Sequence, residues 1–273
     1  MDPQRLLIFL LCGQLTLSIP TGITRPKYLI YGGTTVESSR SYPWMAFTYL
    51  RNPATGDMRW CGGAVLDSTT ILSAAHCFHE RPPGDVMVHL LRQDLRKQAE
   101  DEGGAVIRAV NVSIHPGWDR ERAVNDFAIL KLAEATPPAV KSIAFHRMDR
   151  PIKNQHRVKA LGWGLVAPTE YPDLLQEIDM QVFDDDVCVQ KYTALDMPFD
   201  PAAVLCVGNN TAGKNVCSGD SGGPLVSYGA DESPCLIGIT SYSAGCDLDV
   251  PAAFARVSSQ EDWIKSHLTP SFF

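Results

Sequence analysis

The chain has 273 residues, 45% of them hydrophobic and 20% charged, an ordinary globular composition long enough for one large core or two smaller ones. Its formal net charge of −7 argues against a binder of nucleic acid or anionic membrane, because both repel an acidic surface.

Near the start of the chain Arg5 is followed by an unbroken apolar run over residues 6–11 that continues more weakly to Leu17, with Thr16 and Ser18 as small residues at a plausible cleavage site. This is the layout of a signal peptide over residues 1–18, too short and too interrupted for a spanning helix. It predicts a secreted, extracellular protein. Residues 19–29 carry Pro20, Gly22 and Pro26 without periodicity and read as a pro-segment. From Ile30 onward, short alternating or apolar runs at 44–50, 63–66, 86–91, 105–114, 158–163, 236–242 and 254–257 are separated by turn residues. Many short strands without long helical patterns between them predict an all-β sandwich or barrel. A proline-bearing, strand-poor stretch from Pro137 to Pro151 reads as the link between two halves. One helix is predicted, at about 259–268, opened by a Ser258-x-x-Glu261 capping box with Asp262 in its first turn.

Eight cysteines are present. Cys12 would leave with the signal peptide, so the mature chain has an odd number and one cysteine falls outside any intrachain pairing. No C-x-x-C pair suggests a zinc ribbon. Asn111-Val-Ser113 and Asn209-Asn-Thr211 are glycosylation sequons, meaningful in a secreted chain.

Three distant segments carry chemistry only when taken together. In Gly219-Asp220-Ser221-Gly222-Gly223-Pro224 a serine sits among glycines, which allows a tight turn with an exposed hydroxyl and converging backbone N–H groups; alone it is also an ordinary turn. In Ser73-Ala74-Ala75-His76-Cys77 an imidazole lies on small residues and is pinned by the next cysteine; a single histidine is more often structural. In Asn125-Asp126-Phe127-Ala128-Ile129-Leu130 an acid opens an apolar strand, where it also serves as a turn cap.

In the order His, Asp, Ser, with intervals of 50 and 95 residues, these segments resemble the three signature segments of the chymotrypsin/trypsin-like serine peptidases. The similarity runs from Ile30 to the C-terminal helix. The resemblance implies two six-stranded antiparallel β-barrels, about 30–138 and 152–257, with the site in the cleft between them and a terminal helix. It implies Ser221 as nucleophile, His76 as base, Asp126 as the group orienting the base, and the N–H groups of Gly219 and Ser221 as oxyanion donors.

The same resemblance identifies Ile30-Tyr31-Gly32-Gly33 as the mature N-terminus, whose freed amine would pair with Asp220. Leu29 departs from the Arg or Lys usual before that bond, so a trypsin-type activating cut is not expected there. Asn215 would lie at the base of the specificity pocket, where a charge for substrate Arg or Lys is missing, and Ser243 and Ala252 would narrow its walls. The expected preference is for a medium apolar residue before the cut bond.

The implied disulfides are Cys61–Cys77, worth roughly 3 kcal/mol on the loop-entropy model, Cys188–Cys206 and Cys217–Cys246, leaving Cys235 over. Some relatives hold calcium in a loop equivalent to 91–103; with Arg92 and Gln93 there, Glu100, Asp101 and Glu102 read as a solvated acidic cluster, and no metal or cofactor is predicted. Expected partners are protein or peptide substrates and protein inhibitors, the chain being a monomer with no nucleic-acid or membrane partner. Two rival readings are weighed. A non-catalytic homologue acting as decoy, inhibitor or binding module would typically have lost one of the three residues. A serine esterase of the α/β-hydrolase type would place its histidine last.

Overall fold

The computed structural model describes residues 32–51, 56–79, 86–147, 152–167, 169–209, 214–246 and 248–269. The expected signal peptide and pro-segment, and with them Leu29 and Ile30, lie outside the described residues.

A short strand, β1 (Thr34–Thr35), precedes the first barrel. That barrel consists of β2 (Met45–Arg51), β3 (Met58–Asp67), β4 (Thr70–Ser73), β5 (Val86–Leu90), β6 (Ala105–Ile114) and β7 (Ala128–Leu132). It closes antiparallel in the order β2-β3-β4-β7-β6-β5. After β8 (Ala144–Phe145) come β9 (Arg157–Gly162), β10 (Gln176–Val182), β11 (Val204–Gly208), β12 (Pro224–Tyr228), β13 (Pro234–Tyr242) and β14 (Ala252–Arg256). These six close as β9-β10-β11-β14-β13-β12, with β1 added at β10 and β8 pairing parallel to β13. Two six-stranded antiparallel barrels are therefore present, and the link between the halves holds one short strand.

Strand period explains the cores. In β5, Val86, Val88 and Leu90 are buried while Met87 and His89 are half-exposed. In β10, Ile178, Met180 and Val182 point inward and Glu177, Asp179 and Gln181 outward, as a curved sheet with one buried face requires. The barrels are not separate bodies: Phe47 meets Trp163 edge to face at 5.3 Å, and Trp163 Nε1 donates to Gln93 O at 3.3 Å.

The helices depart from expectation in two ways. The terminal helix α3 is Glu261–Ser266, and it follows a 3₁₀ turn, Val257–Gln260, so Ser258 lies inside helical backbone rather than at its edge. No side chain caps α3; Glu261 instead pairs with Lys265 and Arg147, which corrects the capping box. A longer helix, α2 (Asp185–Thr193), was not foreseen. It buries only Cys188 and Tyr192, a stripe too thin to register as helical period. Acids in its first turn and Lys191 in its last suit the helix dipole, and the Cys188–Cys206 bridge ties it to β11.

Candidate active site

The first barrel contributes an acid–base pair. His76 lies on a single helical turn, α1 (Ala75–Phe78), made possible by fully buried Ala74 and Ala75 beneath it. Cys77 bridges to Cys61 on β3, fixing this turn against the sheet. Asp126 precedes β7 and is 1% exposed. Its Oδ2 accepts from His76 Nδ1 at 2.7 Å and its Oδ1 from the His76 backbone N–H at 2.9 Å. Ser241 Oγ, from β13 of the other barrel, also donates to Oδ2. With the Nδ1 proton held by the carboxylate, the Nε2 lone pair is the one left for chemistry. Burial disfavours the imidazolium, but the charge and hydrogen bond of Asp126 outweigh it, and the His76 pKa lies above the ordinary histidine value.

Neighbouring polar groups hold the Asp126 segment. Asn125 has φ 55°; its Nδ2 donates to Gly117 O at 2.8 Å and its Oδ1 accepts from Gln260 Nε2 at 2.7 Å. Gln260 Oε1 in turn lies 2.8 Å from His115 Nε2.

The second barrel contributes the serine turn, and close backbone approach sets its position. Ser221 O accepts from Gly62 N on β3 at 2.7 Å. A Cβ on Gly222, whose φ is +76°, would fall 2.3 Å from Ser73 Oγ and 2.7 Å from Gly62 O. Only glycine permits that contact. Gly219, at φ +101°, leaves its own N–H and that of Ser221 without a protein acceptor among the described residues. Asp220 is 1% exposed, and its carboxylate accepts from Gly164 N and Cys217 N at 2.8 Å each. Burial raises its pKa to about 6 despite those two bonds.

His76, Gly219 and Ser221 line one pocket of about 260 Å³, together with Met58, Trp60 and Tyr171. Ser221 Oγ makes no hydrogen bond among the described residues, and His76 Nε2 lies 3.8 Å from Cys77 Sγ.

Of the expected pocket residues, Asn215 is buried, with Nδ2 donating to Val250 O at 3.0 Å and Oδ1 accepting from Val216 N at 2.9 Å. That bond brings Asn215 next to the segment entering β14, where Ala252 is fully buried. Ser243 is half-buried just past β13, and the Cys217–Cys246 bridge joins the two sides. Cys235 belongs to none of the three disulfides and sits at the start of β13, opposite Ala144.

Two groupings resemble metal sites. Cys61, His76 and Cys77 converge, but both sulfurs are joined in a disulfide and offer no thiolate. In the acidic loop, Arg92 donates to Asp94 O and Lys97 O at 2.8 and 2.6 Å and pairs with Glu102 at 3.2 Å. The inward oxygens are thus occupied by a guanidinium, and Glu102, read as solvated, is largely buried.

Sequence reasoning missed the Ser241 bond to Asp126, the meeting of Gly62, Ser73 and Gly222, and the Trp60–Tyr171 wall. None has a local signature; Ser241 is 115 positions from Asp126.

The family model for trypsin matches residues 30–264. The chain belongs to the trypsin family of serine peptidases. Within the family, it is 29% identical to the tissue-type plasminogen activator of Pongo abelii over 265 residues, and 28% identical to that of Homo sapiens. Each alignment covers 90% of this chain and 46% of the relative, so the chain spans about half the length of the curated relatives it matches. A solved structure described as "Structure of GrC" superimposes with a TM-score of 0.75 at 29% identity, covering 86% of this chain and 97% of its own. The trypsin-family fold is thus present from the first barrel to the terminal helix.

Proposed function

We propose that this trypsin-family chain is a secreted serine endopeptidase that cuts peptide bonds through an acyl-enzyme on Ser221. The observation that carries the reading is one cleft lined by both Ser221 and His76, with His76 paired to Asp126 at 2.7 Å. Ser221 Oγ attacks the peptide carbonyl carbon while its proton passes to His76 Nε2. Asp126 holds the imidazole in the required tautomer and stabilises the imidazolium. The N–H groups of Gly219 and Ser221 receive the oxyanion. The carbon–nitrogen bond breaks as His76 returns the proton to the leaving amine. Water then cleaves the ester, its proton passing through His76 back to Ser221.

The neutral Asn215, with Ser243 and Ala252, supports cleavage after medium apolar residues such as Leu, Met or Val rather than Arg or Lys. Secretion is supported by the N-terminal apolar segment and by three disulfides, which persist in oxidising compartments. No described helix is long and apolar enough to cross a membrane. Exposed Asn111 and half-buried Asn209 are the proposed glycan sites. Maturation would expose the Ile30 amine, which pairs with Asp220 and completes the oxyanion site. Because Leu29 suits the same pocket, the chain is proposed to mature itself; a pure Ser221→Ala chain that still matures would rule this out.

The test is a mixed peptide library presented to protein beginning at Ile30 and to its Ser221→Ala counterpart. Cuts after medium apolar residues, absent in the counterpart, are expected. Folded protein with a free Ile30 amine that makes no cut would shift the reading to a non-catalytic homologue.

A further inference from the structure

Asp126 stands at the apex of a three-residue turn, in which Phe127 N donates to Asn125 O at 2.7 Å, and β7 begins only at Ala128. Asn125 opens that turn with φ 55°, a left-handed conformation in which asparagine is tolerated and most residues are strained. A closed ring of hydrogen bonds fixes it there. His115 Nε2 donates to Gln260 Oε1 at 2.8 Å, and Gln260 Nε2 donates to Asn125 Oδ1 at 2.7 Å. Asn125 Nδ2 donates to Gly117 O at 2.8 Å, and Gly117 N donates back to His115 Nδ1 at 3.0 Å. Each of the four residues gives one proton and takes one, so the ring closes with the His115 proton on Nε2. Burial and the charge of His267, which faces it from α3, lower the His115 pKa and favour that neutral form. The ring has little slack, since a Cβ on Gly117 would fall 3.0 Å from Asn125 Nδ2.

The ring also reaches the far end of the chain. Gln260 ends the 3₁₀ turn before α3 and lies 135 positions from Asn125. Trp263 of α3 packs against both His115 and His267, with ring centroids 4.7 Å apart in each pair. His115 is buried, and the proposed chemistry uses neither it nor Gln260. Because Asn125 and Asp126 are adjacent, the Asn125 backbone sets where the carboxylate points. Any error there falls on the 2.7 Å bond to His76 Nδ1. We propose that Gln260 and His115 are positioning residues: acting through Asn125, they make the C-terminal helix part of what aims Asp126 at His76. This inference rests on the endopeptidase reading, and neither residue is asked to touch substrate.

The experiment uses protein beginning at Ile30 and a library peptide that it cuts. Gln260→Met keeps the reach of the side chain and removes both of its bonds. Asn125→Gly keeps the left-handed backbone and removes the amide. Each is expected to lower kcat about 30-fold with KM unchanged, as lost alignment at the reacting centre does. Asp126 is the charged group that raises the His76 pKa, so each should also move the His76 titration, followed by NMR and by the acid limb of kcat/KM, to lower pH. The double variant should lose little more than the worse single one, because both open the same ring. Ser259→Ala is the control. It removes the bond from Ser259 Oγ to Arg256 O in the same 3₁₀ turn and should leave kcat and the His76 titration at wild-type values. Three results would each overturn the inference while the endopeptidase reading stands: equal losses in Ser259→Ala, multiplied losses in the double variant, or a His76 titration that stays put in folded Gln260→Met and Asn125→Gly. A kcat within about threefold of wild type in both single variants would do the same. Wild-type protein that cuts no library peptide sinks the endopeptidase reading and the inference with it.

Discussion

Asp126 and Asp220 flank the same cleft and are each 1% exposed, yet their company differs. Asp126 accepts from a hydroxyl, a backbone N–H and an imidazole that can itself become positive. Asp220 has only the backbone donors of Gly164 and Cys217 among the described residues, and its pKa rises to about 6. A buried carboxylate with neutral donors alone is costly to ionise. The acid–base half of the cleft is thus assembled from side chains already in place. The serine half lacks a cationic partner for its carboxylate among the described residues, the role proposed for the Ile30 amine.

The largest effects should come from breaking the assembled half or its target. In protein beginning at Ile30, Ser221→Ala or His76→Ala is expected to lower kcat on the order of 10⁵–10⁶-fold, and Asp126→Asn about 10⁴-fold, with folding intact by circular dichroism. Losses below tenfold would show that the chemistry lies elsewhere.

The next effect sharpens the contrast at Asp220. Its folded pKa is raised, so the folded chain binds that proton more tightly than the unfolded one. Stability of the uncut chain should therefore fall, by about 3 kcal/mol, as pH rises from about 4 to about 6. Protein beginning at Ile30 should not show this fall, because the amine favours the carboxylate. Urea midpoints of both forms at pH 4.5 and 7 decide it; parallel profiles would contradict the proposed pairing.

His76 gives a profile of opposite use. Its raised pKa contributes stability that is complete below the unfolded value near 6.5 and is lost as pH rises through the folded value. Catalysis needs the neutral ring, so kcat/KM should climb with pH along a limb whose midpoint lies above 6.5. Asp126→Asn should move that midpoint downward. The smallest expected effect is at Ser241→Ala, which removes one donor to Asp126. A loss of about tenfold in kcat with KM unchanged is expected, in line with one hydrogen bond to a charged group.

The extent to which the site was legible before the fold depended on distance along the chain. His76 beside Cys77, Asp126 opening an apolar strand and Ser221 among glycines are local features whose chemistry is written in a few adjacent residues. Their relation to one another was readable through family resemblance, not through spacing. The strands were legible where inward and outward residues alternate, as in β5, and Ala105–Ile114 was bounded correctly. The failures have equally local causes. In α2 only Cys188 and Tyr192 face inward, so no helical period could show. Ser258 and Glu261 have the right spacing for a cap, but a 3₁₀ turn runs through Ser258, and Glu261 meets Arg147 from elsewhere in the chain.

The sequence by itself determined the β-rich class and, through family resemblance, the cysteine framework and the candidate reactive side chains. The class follows from a two-residue strand period and the rest from short runs of adjacent residues that resemble the family's, so neither needs a distant partner to be read. Tertiary structure alone decided that Gly62, Ser73 and Gly222 meet, that Ser241 reaches across the barrels to Asp126, that Arg92 fills the acidic loop, and that Trp60 and Tyr171 join two cavities. Each is a contact between segments far apart in sequence, and its geometry is set by how two closed barrels pack rather than by any residue's own preference.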